Sequence, residues 1–367
     1  MWQEVCCVMK IKIGLVGLGE AVQALHMPAL EQLRDRYEVT AVADASRETT
    51  DYIAETFHIP HRFYDADELL CSDTVDAVIL CSPDAYHAQQ VQTALQNGKH
   101  VFLEKPAALC LEDLENMIDV AEKHRDLTAM VGYVRRYADP FRKLKQLLAE
   151  DPRPVEYLRC RTLVCEAPFY LKQTRGIFRG QDISPEMISE GKRLRTEQMK
   201  KALGENPSDA LQNTYTYVNC SGVHILSAVR DLVGSPKRVA RSFATNEGKR
   251  IAALLEYDNF MGVFEYVNDQ SVAAFDEAIE IFQGNRKFLL KFESPYIRNL
   301  PVTLEMTETI GLENKKTIFG PWYTDNFRNE LIEFANCIIN KTSPMTPLAD
   351  ARADLLLAQE IAQKSID

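Results

Sequence analysis

Basic side chains are in deficit: 42 lysines and arginines stand against 53 acidic residues, a formal charge of -11. A surface of that sign repels phosphate backbones, which argues against nucleic acid as a partner. No apolar run approaches the roughly 18 residues needed to span a bilayer, so no membrane partner is expected. Cysteines number nine, an odd count with no CxxC pair. A disulfide framework and a metal knuckle both fit that pattern badly, and a reducing, cytoplasmic setting is expected with no metal ligands assigned. Met1 to Lys10 lacks the basic region, apolar core and cleavage site of a secretory signal. Its Trp2, Cys6 and Cys7 read as a ragged tail, with Met9 as an alternative first residue.

At 367 residues the chain exceeds what one core usually organises, so two domains are expected. Over residues 1–135, short continuous apolar runs (Ile11 to Val16, Val39 to Ala43, Val75 to Cys81, His100 to Leu103, Thr128 to Tyr133) alternate with helical patterns. The first three helical patterns are Glu20 to Arg34, a stretch ending near Phe57, and Asp84 to Asn97; Leu111 to His124 is the fourth. Buried runs separated by helices indicate a doubly wound α/β domain with a parallel sheet. After a helix at Pro140 to Glu150 the pattern changes. Val155 to Val164 is strand-like, and signals resume near Lys237. Asp258-Asn259 and Gly284-Asn285 each sit between two strand-like runs, as hairpin turns do. Residues 136–367 are therefore expected to form an α+β domain with a mostly antiparallel open sheet. Two helices, Thr324 to Ile339 and Leu348 to Lys364, are expected to pack back on the rest.

The strongest local motif is Gly14-Leu15-Val16-Gly17-Leu18-Gly19-Glu20-Ala21-Val22, which ends a strand and opens a helix. Gly17 permits the tight turn, and Gly19 lets backbone approach a pyrophosphate seated on the helix N-terminus. Glu20 and Ala21 would flank it. The third small position is Val22, so the fingerprint is incomplete. Asp44 ends the second strand, where a carboxylate accepts from the adenosine ribose hydroxyls and repels a 2′-phosphate. It also suits helix capping, as does Ser46. NAD is the favoured cofactor, with NADP kept open because Arg47 can clamp a 2′-phosphate.

Ser82-Pro83-Asp84-Ala85-Tyr86-His87 follows the third apolar run, and Glu104-Lys105-Pro106 caps the next. A lysine at a strand tip can donate to a substrate oxygen. With Gly17-Leu18-Gly19, His26-Met27-Pro28-Ala29-Leu30, Gly98-Lys99-His100-Val101 and Gly132-Tyr133-Val134-Arg135-Arg136-Tyr137, these segments carry a likeness over nearly the whole chain. The chain resembles the Gfo/Idh/MocA family, named for glucose–fructose oxidoreductase, inositol dehydrogenase and rhizopine-catabolism proteins. The resemblance implies that Lys105 lies beside the nicotinamide and hydrogen-bonds the hydroxyl being oxidised. It places Glu104, Ser82, Pro83 and His87 against the cofactor, and Tyr133 and Arg135 along the cleft.

The resemblance also implies a general-base histidine at His224, in Ser221-Gly222-Val223-His224, at the start of an amphipathic helix running to Leu232. The family's assisting aspartate is here Cys220, and another aspartate often found after the histidine is Ser227. A thiol neither raises the histidine's basicity nor orients substrate hydroxyls well. Cys220 reads as a substrate-side thiol, as a nucleophile with nothing nearby in sequence to activate it, or as a bland buried thiol, and Tyr215 or Tyr217 as a source of a substitute hydroxyl.

Residues 172–201 exceed the family's usual length. They carry Lys172, Arg175, Arg179, Lys192, Arg193, Arg195, Lys200 and Lys201 against Asp182, Glu186, Glu190 and Glu197, with a helix expected over Pro185 to Ala202. The segment reads either as a lid whose bases meet an anionic or polar substrate, or as a solvated helix or subunit contact.

The leading expectation is an NAD(P)-dependent oxidoreductase moving hydride between nicotinamide and a secondary alcohol or ketone, which the resemblance implies belongs to a sugar, polyol or related cyclic alcohol. Two alternatives remain: a redox-neutral enzyme that oxidises, eliminates and re-reduces a glycoside, and a non-catalytic dinucleotide sensor. The resemblance implies a homodimer or homotetramer paired through the open sheet face, which would otherwise expose an apolar patch.

Overall fold

The computed structural model describes residues 10–164, 167–174, 176–269 and 271–365. Six strands form an all-parallel sheet: β1 (Ile11–Val16), β2 (Tyr37–Ala43), β3 (His61–Phe63), β4 (Ala77–Leu80), β5 (His100–Leu103) and β6 (Ala129–Val131). Their order is β3-β2-β1-β4-β5-β6. All four residues of β4 and five of the six in β1 are buried, as expected of strands covered on both faces. The chain winds outward from β1 and then returns to β4. That reversal opens a crevice beyond the carboxyl ends of these two strands, the place where ligands enter open α/β sheets.

The second sheet has eight strands in the order β14-β13-β12-β11-β7-β10-β9-β8. They are β7 (Val155–Val164), β8 (Arg238–Thr245), β9 (Arg250–Glu256), β10 (Met261–Asn268), β11 (Phe275–Gln283), β12 (Arg286–Phe292), β13 (Val302–Ile310) and β14 (Glu313–Trp322). Only the β7–β10 pair is parallel. Both expected hairpins are present, and Gly284 takes the left-handed φ of 58° its turn requires. One face of this sheet packs Leu158, Cys160, Phe264, Ile279, Phe288 and Leu290 against helices Asp139–Ala149, Val223–Val233 and Ala351–Lys364. The other face carries Tyr157, Phe243, Leu254, Met261 and Phe282, all more than a third exposed.

The C-terminal helix Asn326–Asn340 returns to the first sheet, where Leu331, Phe334 and Ala335 join a core with Ile13, Ile79 and Phe102. Among the described residues no helix is long and apolar enough to cross a membrane.

Two helical expectations change, and the inserted helix agrees with its expected span to one residue. Glu20 to Arg34 holds a π turn at Val22–His26 and ends in helix Met27–Glu31. The helix assigned to begin at Ser221 begins instead at Asp209, running to Tyr217, through a π turn at Val218–Gly222, and on as Val223–Val233. Gly222 lies inside that run because a Cβ there would come within 2.9 Å of the Phe264 ring, so close packing and not a helix start explains it. The inserted helix spans Pro185–Leu203, capped by the Ser184 hydroxyl accepting from Met187 N.

Candidate dinucleotide and active site

The loop after β1 turns at Gly17, whose φ is +80°. A Cβ there would lie 2.4 Å from the backbone nitrogen of Ser82, so only glycine fits between the β1 and β4 loops. At Gly19, by contrast, a Cβ would meet no heavy atom within 4 Å. That open backbone borders a cavity of about 770 Å³ lined by Gly17, Gly19, Asp44, Tyr64, Ser82 and Pro83. Asp44 is anchored at its edge, accepting from Leu18 N at 2.7 Å and Ser46 N at 2.8 Å. It is not the helix cap: Ser46 is, its hydroxyl accepting from Thr49 N. A glycine cradle, a helix start and an anchored carboxylate fit a dinucleotide.

Cys81, Ser82, Pro83 and Asp84 also line a second cavity of about 450 Å³, so the two are neighbours across one loop. Its walls bring together Ala21, His87, Glu104, Lys105, Arg135, Cys220 and His224. Lys105 follows β5, and its Nζ donates to the carbonyl of Cys220 at 2.9 Å. That carbonyl belongs to the π turn, a device that recurs where a helix serves a site. His224 lies just beyond it. Burial, then the charges of Lys105 and Arg135, pull its pKa well below the ordinary 6.5, and its Nδ1 is buried without a partner. The ring is therefore neutral and able to accept a proton.

The absent family aspartate has a spatial neighbour. Asp84 brings a carboxylate oxygen to 3.7 Å from the Cys220 sulfur, and Arg195 of the inserted helix pairs with Asp84. Burial first, and Asp84 second, push the Cys220 thiol up to about 11, so it stays protonated and is a poor nucleophile. Arg195 also donates to Thr216 Oγ1 at 3.2 Å.

Several assigned residues turn elsewhere. Tyr133 points away from the cleft into the core with Leu103, Val131 and Leu355, and Gly132 and Val134 on either side of it line the inner cavity instead. Glu20 leaves the dinucleotide loop to accept from Arg179 at 2.9 Å. His87 is buried, its ring nitrogens facing the carbonyls of Pro106 at 2.8 Å and Ser82 at 2.9 Å, so it ties two site loops together. Ser82 spends its hydroxyl on Gln90. Arg135 lines the inner cavity but is held by Glu277 on β11 at 2.6 Å. Neither tyrosine supplies a hydroxyl: Tyr215 donates to Leu109 O at 2.7 Å, and Tyr217 packs near Tyr266 in the second core.

The insertion does cover the cleft, over the larger cavity, where Ile183, Met187, Ile188, Gly191, Lys192 and Arg195 form a wall. Its bases mostly find partners on the chain: Arg179 with Glu20, Arg193 with Glu190 and Glu197, Lys201 with Glu112. Arg175 lies outside the described residues.

One cluster went unread in the sequence. His26 Nε2 meets Glu104 Oε1 at 2.7 Å, and Glu330 completes a buried trio whose ligand-type atoms lie within 4.8 Å of one another. Both Glu330 oxygens are buried without partners. Burial, then the charges of Glu104 and Asp325, push its pKa well above the ordinary carboxyl value, so Glu330 is neutral. Burial opposes ionisation of Glu104 too, but His26 and Lys105 outweigh it and lower its pKa. The trio thus reads as a hydrogen-bonded His26–Glu104 pair beside a neutral acid.

The parallel sheet, its reversal point and the glycine cradle find a counterpart among known proteins. Residues 11–133 match the model of an oxidoreductase family with an NAD-binding Rossmann fold. Those residues belong to the Gfo/Idh/MocA family. The uncharacterized oxidoreductase YrbE of Bacillus subtilis is 22% identical over 343 residues, which cover 92% of this chain and 89% of that protein. Myo-inositol 2-dehydrogenase of Thermotoga maritima is 29% identical over 165 residues, 41% of this chain and 48% of its own length. The match to that dehydrogenase therefore spans under half of it. Beyond the Rossmann part, apo scyllo-inositol dehydrogenase from Lactobacillus casei superposes with a TM-score of 0.69 over 97% of this chain and 96% of its own, at 21% identity. The two-sheet fold of this chain is thus shared along its length.

Proposed function

We propose that this chain is an NAD-dependent dehydrogenase acting on a secondary alcohol, or the matching ketone, of a sugar, polyol or cyclic alcohol such as an inositol. The observation that carries this reading is the convergence of Lys105 and His224 on one cavity wall beside the dinucleotide cleft. Gly17, Gly19 and Asp44 would hold the dinucleotide, with Ser82 and Pro83 at the junction of the two cavities. The bound cofactor supplies the hydride acceptor. Lys105 Nζ, steadied by the Cys220 carbonyl, donates a hydrogen bond to the reacting oxygen. His224, neutral and lining the same cavity, accepts the hydroxyl proton. The inositol dehydrogenases among the relatives support the substrate class.

Reduced-nicotinamide absorbance, followed with inositols, sugars and uronates, tests the proposal. Turnover of any member that drops at least about a thousandfold in Lys105→Met supports it. Silence across the panel, from protein shown to bind the dinucleotide, refutes it in favour of a redox-neutral enzyme or a sensor. We further propose a division between the dinucleotide-binding and substrate-binding domains near residue 135. Assembly as a dimer or tetramer would use the face bearing Phe243, Leu254 and Met261, where burial would remove apolar surface from water. The six described cysteines are all unpaired, which supports a reducing, cytoplasmic setting.

A further inference from the structure

The helix Arg47–Phe57 begins directly after Asp44, at the edge of the larger cavity. In dinucleotide-binding folds this turn lies next to the 2′ position of the adenosine ribose. A helix start offers free N–H donors and a favourable dipole, so it is where a 2′-phosphate would be received.

Here those donors are already taken, and the anion that takes them comes from the insertion. Asp182 Oδ1 accepts from the Ser46 hydroxyl at 2.5 Å, and Oδ2 accepts from Arg47 N at 2.8 Å and Glu48 N at 3.2 Å. Ser46 N is spent on Asp44 and Thr49 N on the Ser46 hydroxyl. The one arginine at the turn is also engaged, with its guanidinium 4.1 Å from the centre of the Tyr64 ring.

The irregular segment of the insertion that carries Asp182 is pinned. Gln23 makes two hydrogen bonds with the Phe178 backbone, at 2.9 and 3.0 Å, and Gly180 N donates to Thr49 Oγ1 at 3.0 Å. The Phe178 ring stacks on Tyr52 with centroids 4.2 Å apart. A Cβ on Gly180 would fall 2.1 Å from the Ser46 hydroxyl, so the approach requires glycine.

We propose that Asp182 sets the cofactor preference, its carboxylate filling the donor set a 2′-phosphate would need and repelling that group, so that the site takes NAD and rejects NADP. The inference rests on the dinucleotide reading above. It gives the insertion a role at the adenosine end of the cleft, apart from any contact with substrate. Rejection by an occupied, like-charged position is how a site discriminates between ligands that share every other contact.

Calorimetric titration of the purified protein with NAD and with NADP, without substrate, tests this. Wild type is expected to bind NAD at least about a hundredfold more tightly than NADP. Asp182→Ser should tighten NADP by at least about tenfold and leave NAD within about threefold. Asp182→Asn, which removes charge at nearly constant size, should move NADP the same way by less. Wild type binding NADP as well as NAD overturns the proposal. So does an Asp182→Ser protein whose NAD affinity is kept and whose NADP affinity does not rise. Loss of both ligands in both variants would make Asp182 a brace for the cleft and end the selectivity argument. Failure of wild type to bind either dinucleotide would instead remove the cofactor reading itself, and this proposal with it.

Discussion

Gly17 and Gly19 stand two residues apart in one loop, yet the structure assigns them opposite costs. In Gly17→Ala the new methyl would sit 2.4 Å from Ser82 N and 2.6 Å from the Cys81 carbonyl carbon, both backbone atoms with no easy retreat. The φ of +80° adds about 1–2 kcal/mol for a residue with a Cβ. Overpacking typically adds about 1–3 kcal/mol. The sum, about 2–5 kcal/mol, should appear as a lower urea midpoint in the transition of the Rossmann part. Gly19→Ala meets no atom within 4 Å and needs no left-handed φ. Its stability should match wild type or exceed it by up to about 1 kcal/mol, through the stiffer unfolded chain. Dinucleotide affinity, read by the same titration, should fall at least about tenfold, because that open space is where backbone meets pyrophosphate. A destabilised Gly19→Ala, or one that binds dinucleotide like wild type, would refute the division of labour.

Glu330 gives a pH test. Its pKa is raised in the folded state above the ordinary 4.5, so the native protein holds a proton that the unfolded chain releases. Stability from this group is present below about pH 4.5 and is lost as pH rises toward the folded pKa. Glu330→Gln should therefore gain on wild type in urea unfolding as pH rises from about 5 to 8, and a constant difference would show that Glu330 is ionised. His224 gives a second. Its depressed pKa keeps the ring neutral well below 6.5, so the rate should stay flat from about pH 6 to 8. An inflection near 6.5 in the wild-type profile would contradict the buried, neutral ring.

The parallel sheet was legible because its strands are buried on both faces and read as apolar runs, β1 and β4 most clearly. The strand Val155–Val164 and both tight hairpins were legible from alternation and turn residues. β3 was not, since His61 and Arg62 are exposed and leave no apolar run to find. β13 and β14 were missed for a related reason: the far half of that hairpin, with Thr309, Glu313, Lys315 and Lys316, is exposed on the sheet edge. Within the site, the glycine loop, Asp44, Lys105 and His224 carried local signals. Tyr133 and His87 carried the same kind of signal, yet the first faces the core and the second binds backbone. Motif spacing places a residue on a loop but does not set the direction of its side chain. Asp182 and Arg195 had no local signal toward Ser46 and Asp84, since their partners lie 136 and 111 residues away.

The π turn at Val218–Gly222 amounts to one residue more than an α-helix needs over that stretch. Each helical residue advances the direction of its side chain by roughly 100°. Deleting one residue there would close the bulge into regular helix, while everything beyond it would have to turn by that angle or lose its present packing. His224 and the core residues Ile225, Leu226 and Val229 share that single phase. The helix cannot swing its histidine out of the cleft without unseating the hydrophobic face that docks it, so the bulge works as a gear tooth that fixes one to the other.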